Sequence, residues 1–194
     1  MHKRVAIELD DFSTGPYEFT SPPGVGIVNQ SEAKQGTMAG GWRLVNIISG
    51  DGENKRLQPI HVDISNKVKK SGVLTLTVGT TATVHMGLLY GAFSGSPAPP
   101  LHLDVSAFTR CVVKFDWLLQ STKVNVTMFS GDGKRTTVGA DTKQFGTEQN
   151  PHEFAFDLTS IQPDHDQANR RDITRFGVTF DTITGFSIES IALS

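Results

Sequence analysis

Six histidines, a few clustered carboxylates and a small set of Tyr and Trp residues are the parts of this chain that could do chemistry. A nucleophilic site would pair a Ser, Thr or Cys with a base. Any of His2, His61, His85, His102, His152 or His165 could supply that base, yet no Gly-x-Ser-x-Gly elbow or comparable frame accompanies them. His61, His85 and His102 fall in or beside alternating segments, where a packed or sheet-facing imidazole is expected. Neither His-x-x-x-His nor Cys-x-x-Cys occurs, so a zinc site has no ligand frame. The Gly-x-x-x-x-Gly-Lys phosphate loop is absent, and Gly24-Val25-Gly26 follows Pro-Pro rather than a strand. No pair of carboxylates is singled out for glycoside hydrolysis. The chain is therefore expected not to be an enzyme.

Binding chemistry has better candidates. A sugar platform needs an exposed aromatic ring with polar groups around it. Tyr17 and Tyr90, each beside a loop, and Trp42, between Gly40-Gly41 and Arg43, are the rings that could form one, while Trp117 lies in the most apolar run and reads as core. Phe93 sits in the loop Gly91 to Pro100 with Pro97, Pro99 and Pro100, and an exposed Phe there suits a protein contact.

These residues must be positioned by strands. Period-2 alternation recurs in Val5-Ile7-Leu9, Trp42-Leu44-Asn46-Ile48, Ile60-Val62-Ile64, Val73 to Val78 and Val84-Met86-Leu88-Tyr90. It continues through Val112 to Leu119, Val124-Val126-Met128, Phe154-Phe156-Leu158, Phe176-Val178-Phe180 and Phe186 to Leu193. About ten strands in one all-β domain spanning residues 1–194 are predicted, as an antiparallel β-sandwich of jelly-roll type. Ser49-Gly50-Asp51-Gly52 and Ser130-Gly131-Asp132-Gly133 place Asp-Gly at two hairpin tips. Thr20 to Gly41 reads as an extended excursion with at most a short strand near Val25, Ile27 and Val28. Gly91 to Pro100 and Gln162 to Arg171 read as long loops, where function usually sits.

Composition narrows the partners. Eighteen basic and 20 acidic residues give a net charge of −2 with no long block of either sign. Lys67, Lys69 and Lys70, and then Arg170, Arg171 and Arg175, read as solvated loop or edge charges, so no nucleic-acid partner is expected. Hydrophobic residues make up 37% of the chain, which suffices to close a core without disulfides; the single Cys111 could form none within the chain and reads as a buried thiol. No apolar run approaches the length of a membrane helix, and as written the chain has no secretory signal. An extracellular or virion surface is the expected location.

Leu9-Asp10-Asp11-Phe12-Ser13, Met38-Ala39-Gly40-Gly41-Trp42-Arg43 and the closing Ile173 to Ile191 segment occur in a recognisable order. Together they resemble secreted bacterial β-sandwich proteins of the PEP-CTERM-sorted kind, although the C-terminal Pro-Glu-Pro signal of that family is missing. The closing strands also look like those of carbohydrate-binding modules and galactose-binding-like jelly rolls. The first family is surface or matrix material, and with the lack of catalytic motifs, the Thr- and Gly-rich strands and the long loops the expected function is a structural or interaction subunit of a larger surface assembly, such as a virion decoration, a fibre-like component or a cell-surface layer, with protein partners. The second implies a carbohydrate-binding module. Jelly-roll modules often hold a structural calcium; Asp10 and Asp11 are the natural ligands for one here, with Glu189 as partner. The alternative is that the two Asp start a turn and Glu189 faces water.

Overall fold

The computed structural model describes residues 6–14, 17–21, 27–32, 36–49, 60–65, 72–79, 83–94, 97–143, 152–160 and 167–194. Among them run thirteen strands: β1 (Ile7–Asp10), β2 (Tyr17–Ser21), β3 (Ile27–Glu32), β4 (Trp42–Ser49), β5 (Ile60–Ser65), β6 (Val73–Thr77), β7 (Val84–Gly91), β8 (Arg110–Leu118), β9 (Lys123–Ser130), β10 (Arg135–Asp141), β11 (His152–Asp157), β12 (Ile173–Thr182) and β13 (Phe186–Leu193). One sheet has the order β11-β8-β13-β6-β5-β2, with β1 also paired to β13; the other has the order β10-β9-β12-β7-β4-β3. Every pairing is antiparallel. The chain crosses repeatedly between the sheets, and the result is an all-β, jelly-roll-type sandwich.

Alternation explains the layering. Val84, Met86, Leu88 and Tyr90 of β7 and Phe176, Val178 and Phe180 of β12 point inward from the six-stranded sheet. They meet Cys111, Val113 and Phe115 of β8 and Phe186, Ile188, Ile191 and Leu193 of β13. At the centre, Phe115 stands edge-on to Phe154, Phe180 and Phe186 at centroid distances of 5.5, 6.3 and 5.9 Å. Edge-to-face pairs of this kind add about 0.5–1.5 kcal/mol each beyond area burial. Of the three, the Phe115–Phe180 pair spans the two sheets.

Three strands exceed the expected ten. β2, β3 and β10 are edge or near-edge strands rich in Thr, Ser, Gln and Glu, and β10 turns only Thr136 and Val138 inward, so its apolar signal is a single residue. The Ser130 to Gly133 tip does join a hairpin: Gly133 has φ +83°, and Asp132 accepts from the Ser130 hydroxyl and the Lys134 amide. In β4 the alternation is present but inverted relative to a naive reading. Arg43, Val45 and Ile47 face the core, so Trp42, Asn46 and the exposed Ile48 face out. Residues 50–52 of the first Asp-Gly tip, Val25, the lysines at 67, 69 and 70, and residues 162–166 of the polar loop lie outside the described residues. Among the described residues, no helix is long and apolar enough to cross a membrane.

Candidate functional site

The residues nominated from sequence do not form one exposed site. Tyr90 is fully buried on the inner face of β7, so it cannot present a ring to a sugar. Tyr17, on β2 of the other sheet, packs against the core. Of the three platform rings only Trp42 lies on an outer face, half-buried at the start of β4. Phe93 folds back onto the six-stranded sheet, while Pro97, Pro99 and Pro100 are exposed and Ala98 between them is buried.

The carboxylates also have other work. Asp10 is fully buried. Its Oδ1 accepts the Phe12 amide at 2.8 Å, its Oδ2 accepts the Tyr90 hydroxyl at 2.8 Å, and Arg43 Nε lies 3.2 Å from Oδ2. Arg43, also fully buried, donates from Nη2 to the Thr14 carbonyl at 3.0 Å and places its guanidinium 5.1 Å from the Phe12 ring centroid. Burial pushes Asp10 up to about 6, against the opposing pull of Arg43, the Phe12 amide and Tyr90. Burial and then Asp10 hold the Tyr90 phenol well above its ordinary value. Asp10 of one sheet is thus bonded to Arg43 and Tyr90 of the other, as an internal tie between the layers. Asp11 accepts from the Ser13 amide and hydroxyl at 3.0 and 2.6 Å, and Glu189 pairs with Lys114 at 2.8 Å. The calcium ligands foreseen from sequence therefore point at separate partners, and among the described residues no group of three His, Cys, Asp or Glu could hold a metal ion. This set does not fit a calcium site.

What the sequence did not single out is the outer face of the six-stranded sheet. Ladder register aligns its outward residues in rows across β10, β9, β12, β7 and β4. One row runs Asp141, Lys123, Asp181, His85, Ile48; the next Gly139, Asn125, Thr179, Gly87, Asn46; the third Thr137, Thr127, Gly177, Leu89, Leu44. The middle rows carry three glycines. A β-carbon on Gly87 would touch Thr179 and Asn46 at 3.7 and 3.8 Å, one on Gly177 would sit 3.0 Å from Leu89, and the Asn125 amide oxygen leans over Gly139. Glycine in a strand interior weakens the strand and marks a place where something approaches the backbone closely.

The polar groups of this face are ordered. Thr127 and Thr137 share a hydrogen bond at 3.1 Å, and His85 Nδ1 lies 2.5 Å from Asp181 Oδ1. That bond fixes the imidazole ring by one nitrogen. At the opposite end of the sheet the register brings Arg135, Phe129 and Arg175 side by side. The Arg175 guanidinium lies 4.3 Å from the Phe129 ring centroid and 5.6 Å from that of Phe93, and the two rings meet edge-on at 6.0 Å.

No family model matches the chain, and no curated protein matches it. Among solved structures, a family 11 carbohydrate-binding module studied in solution aligns at 14% identity and TM-score 0.45 over 100% of this chain and 97% of its own. The family 11 module of the Clostridium thermocellum cellulosomal cellulase Lic26A-Cel5E aligns at 12% identity and TM-score 0.41, over 97% of this chain and 94% of its own. PfGH50B aligns at 14% identity and TM-score 0.44 over 77% of this chain, which spans 22% of that protein's length. At these values neither ligand nor mechanism transfers to this chain.

Proposed function

We propose that the chain is a carbohydrate-binding module without catalytic activity, holding a glycan against the outer face of the six-stranded sheet. The observation that carries this reading is the pairing of a glycine floor at Gly139, Gly87 and Gly177 with Asn125, Asn46, Thr179, Thr127 and Thr137 on the adjoining positions. Amides and hydroxyls both donate and accept, which is what a sugar hydroxyl requires of its partner. At Gly87, where a β-carbon would meet only ordinary contacts, a ring can come close to the sheet, while Asn125 and Leu89 lean over Gly139 and Gly177. Trp42 at one margin and the partly buried Leu89 supply the surface on which a sugar's C–H face can rest.

The test is a glycan array followed by titration calorimetry on the hits. Gly87→Leu should abolish binding, because a β-carbon there meets only ordinary contacts and the rest of the side chain must project into the trough. Asn125→Ala should weaken binding by the worth of one neutral hydrogen bond, about 0.5–1.5 kcal/mol or roughly 2- to 12-fold in Kd. An array without hits, or a Gly87→Leu variant that binds like the parent, would remove the reading.

The surface-assembly reading keeps one observation of its own. Ile48, Leu119 and Ile183 are exposed at one end of the sandwich, where Thr122 and Thr182 tie the β8–β9 and β12–β13 turns together. Light scattering behind gel filtration separates the two: a 21.1 kDa monomer fits a binding module, and a large symmetric species fits an assembly subunit.

A further inference from the structure

Resting on the glycan-binding reading, we propose that the Arg175 end of the same face takes an anionic substituent, so that the ligand is an acidic polysaccharide carrying carboxylate or sulfate groups. Arg175 lies between two aromatic rings rather than against a carboxylate. Its guanidinium packs on Phe129 and Phe93, and among the described residues it has no ion-pair or side-chain hydrogen-bond partner. A guanidinium stacked in this way keeps its N–H fork in the plane of the group, and that fork matches two oxygens of one anion.

The neighbours on the ladder do not compete for it. Phe129 of β9 and Gly91 of β7 flank Arg175, Leu101 packs where a Gly91 side chain would sit, and none of the three carries a carboxylate. Beyond Phe129 the same row continues to Arg135. The far end of the face is arranged differently. There Asp181 pairs with His85 and stands across the ladder from Lys123, which in turn stands across from Asp141, so positive and negative groups alternate. Charges at one end of the face are balanced among themselves, whereas at the other the Arg175 guanidinium rests on aromatic rings. Two phenyl rings hold the long Arg175 side chain in place before anything binds, which reduces the ordering cost of recognition.

The experiment uses the full chain and four polymers: polygalacturonate, its carboxyl-reduced counterpart, a sulfated galactan and the same galactan after desulfation. Affinity gel electrophoresis and calorimetry at 20 and 500 mM NaCl read the binding. The parent should prefer one acidic polymer over its neutral counterpart by roughly ten- to hundredfold, the range of a charge-assisted hydrogen-bonded contact. High salt should reduce the preference. Arg175→Gln should lower acidic-polymer affinity to the neutral level, and Arg175→Lys, which keeps the charge but loses the fork, should fall between. Arg110→Gln, an exposed position on β8 of the other sheet, makes the same charge change and should have no effect. Near-UV circular dichroism checks that each variant is folded; if Arg175→Gln is not, Arg175→Lys and the salt series decide. Whichever acidic polymer is preferred identifies the anion. Equal binding of acidic and neutral polymers overturns this inference and leaves the glycan-binding reading intact, whereas no binding to any polymer or array glycan overturns both.

Discussion

Replacing Arg43 with Met tests whether charge, rather than bulk, ties the two sheets together. Met fills much of the same apolar space against Phe12 but leaves Asp10 buried without its cationic partner and the Thr14 carbonyl without a donor from this side chain. Removing one member of a buried ion pair typically costs about 3–5 kcal/mol. Unfolding entropy is about 2.1 cal/mol/K per residue, so for 194 residues that loss lowers Tm by about 7–12 °C at pH 7.5. The sign of the pH dependence follows from Asp10. Arg43 pulls its carboxyl down, so in the variant it protonates at a higher pH than in the parent, and each unit of further rise makes the cost smaller in acid by about 1.4 kcal/mol. Calorimetric melts at pH 7.5 and pH 5 should therefore show the variant closer to the parent at the lower pH. Adding Asp10→Asn to Arg43→Met removes the stranded charge and should recover about 2–3 kcal/mol of the loss at pH 7.5. A penalty that is the same at both pH values, or a double variant no better than the single, would show that Arg43 acts only through packing.

Three further outcomes are expected. In the parent, burial raises Asp10 to about 6 in the folded chain from the ordinary 3.8 of an aspartate, so its contribution to stability is fully present below about pH 4 and is lost as pH rises through about 6; Asp10→Asn should flatten urea midpoints across that window. Cys111 is buried and its thiol is pushed up to about 12 by burial, so Ellman's reagent should react only on unfolding, and a prompt reaction in the native protein would contradict the placement of β8. Because Asp10, Asp11 and Glu189 face protein partners, chelation with EDTA should leave both Tm and glycan affinity unchanged; a drop in Tm would place a cation elsewhere in the chain.

The architecture was legible because most strands of this sandwich bury one face, and a buried face writes itself as alternation. Where the alternation is weak the reading thinned out. β10 has one inward apolar residue, and β2 and β3 are short edge strands whose composition resembles that of loops. The site was less legible, and β4 shows the physical reason. Its inward face is Arg43, Val45 and Ile47, and its outward face includes Trp42, Leu44 and Ile48, so polarity by letter misstates direction at both ends of the strand. An arginine reads as solvent-facing unless its partners are known, and Asp10 and Tyr90 lie 33 and 47 residues away.

The same limit hid the candidate binding face. Gly87, Gly139 and Gly177 are ordinary interruptions of three separate strands in the sequence, and Asn46, Asn125 and Thr179 are ordinary polar alternates. They become a surface only once β9 is placed between β10 and β12 and β7 between β12 and β4, since that order sets the three glycines among the three polar side chains. Aromatic letters drew attention to Tyr17 and Tyr90, which the core consumes, because a ring is the strongest single-residue sign of sugar binding. On the proposed reading the sign is carried instead by missing side chains. One signal was open to a sequence reading: Gly87, Gly139 and Gly177 each occupy an otherwise polar-phase position of a strand, where a solvated face would gain more from Thr or Lys. A glycine kept there is explained when something else occupies the space above it.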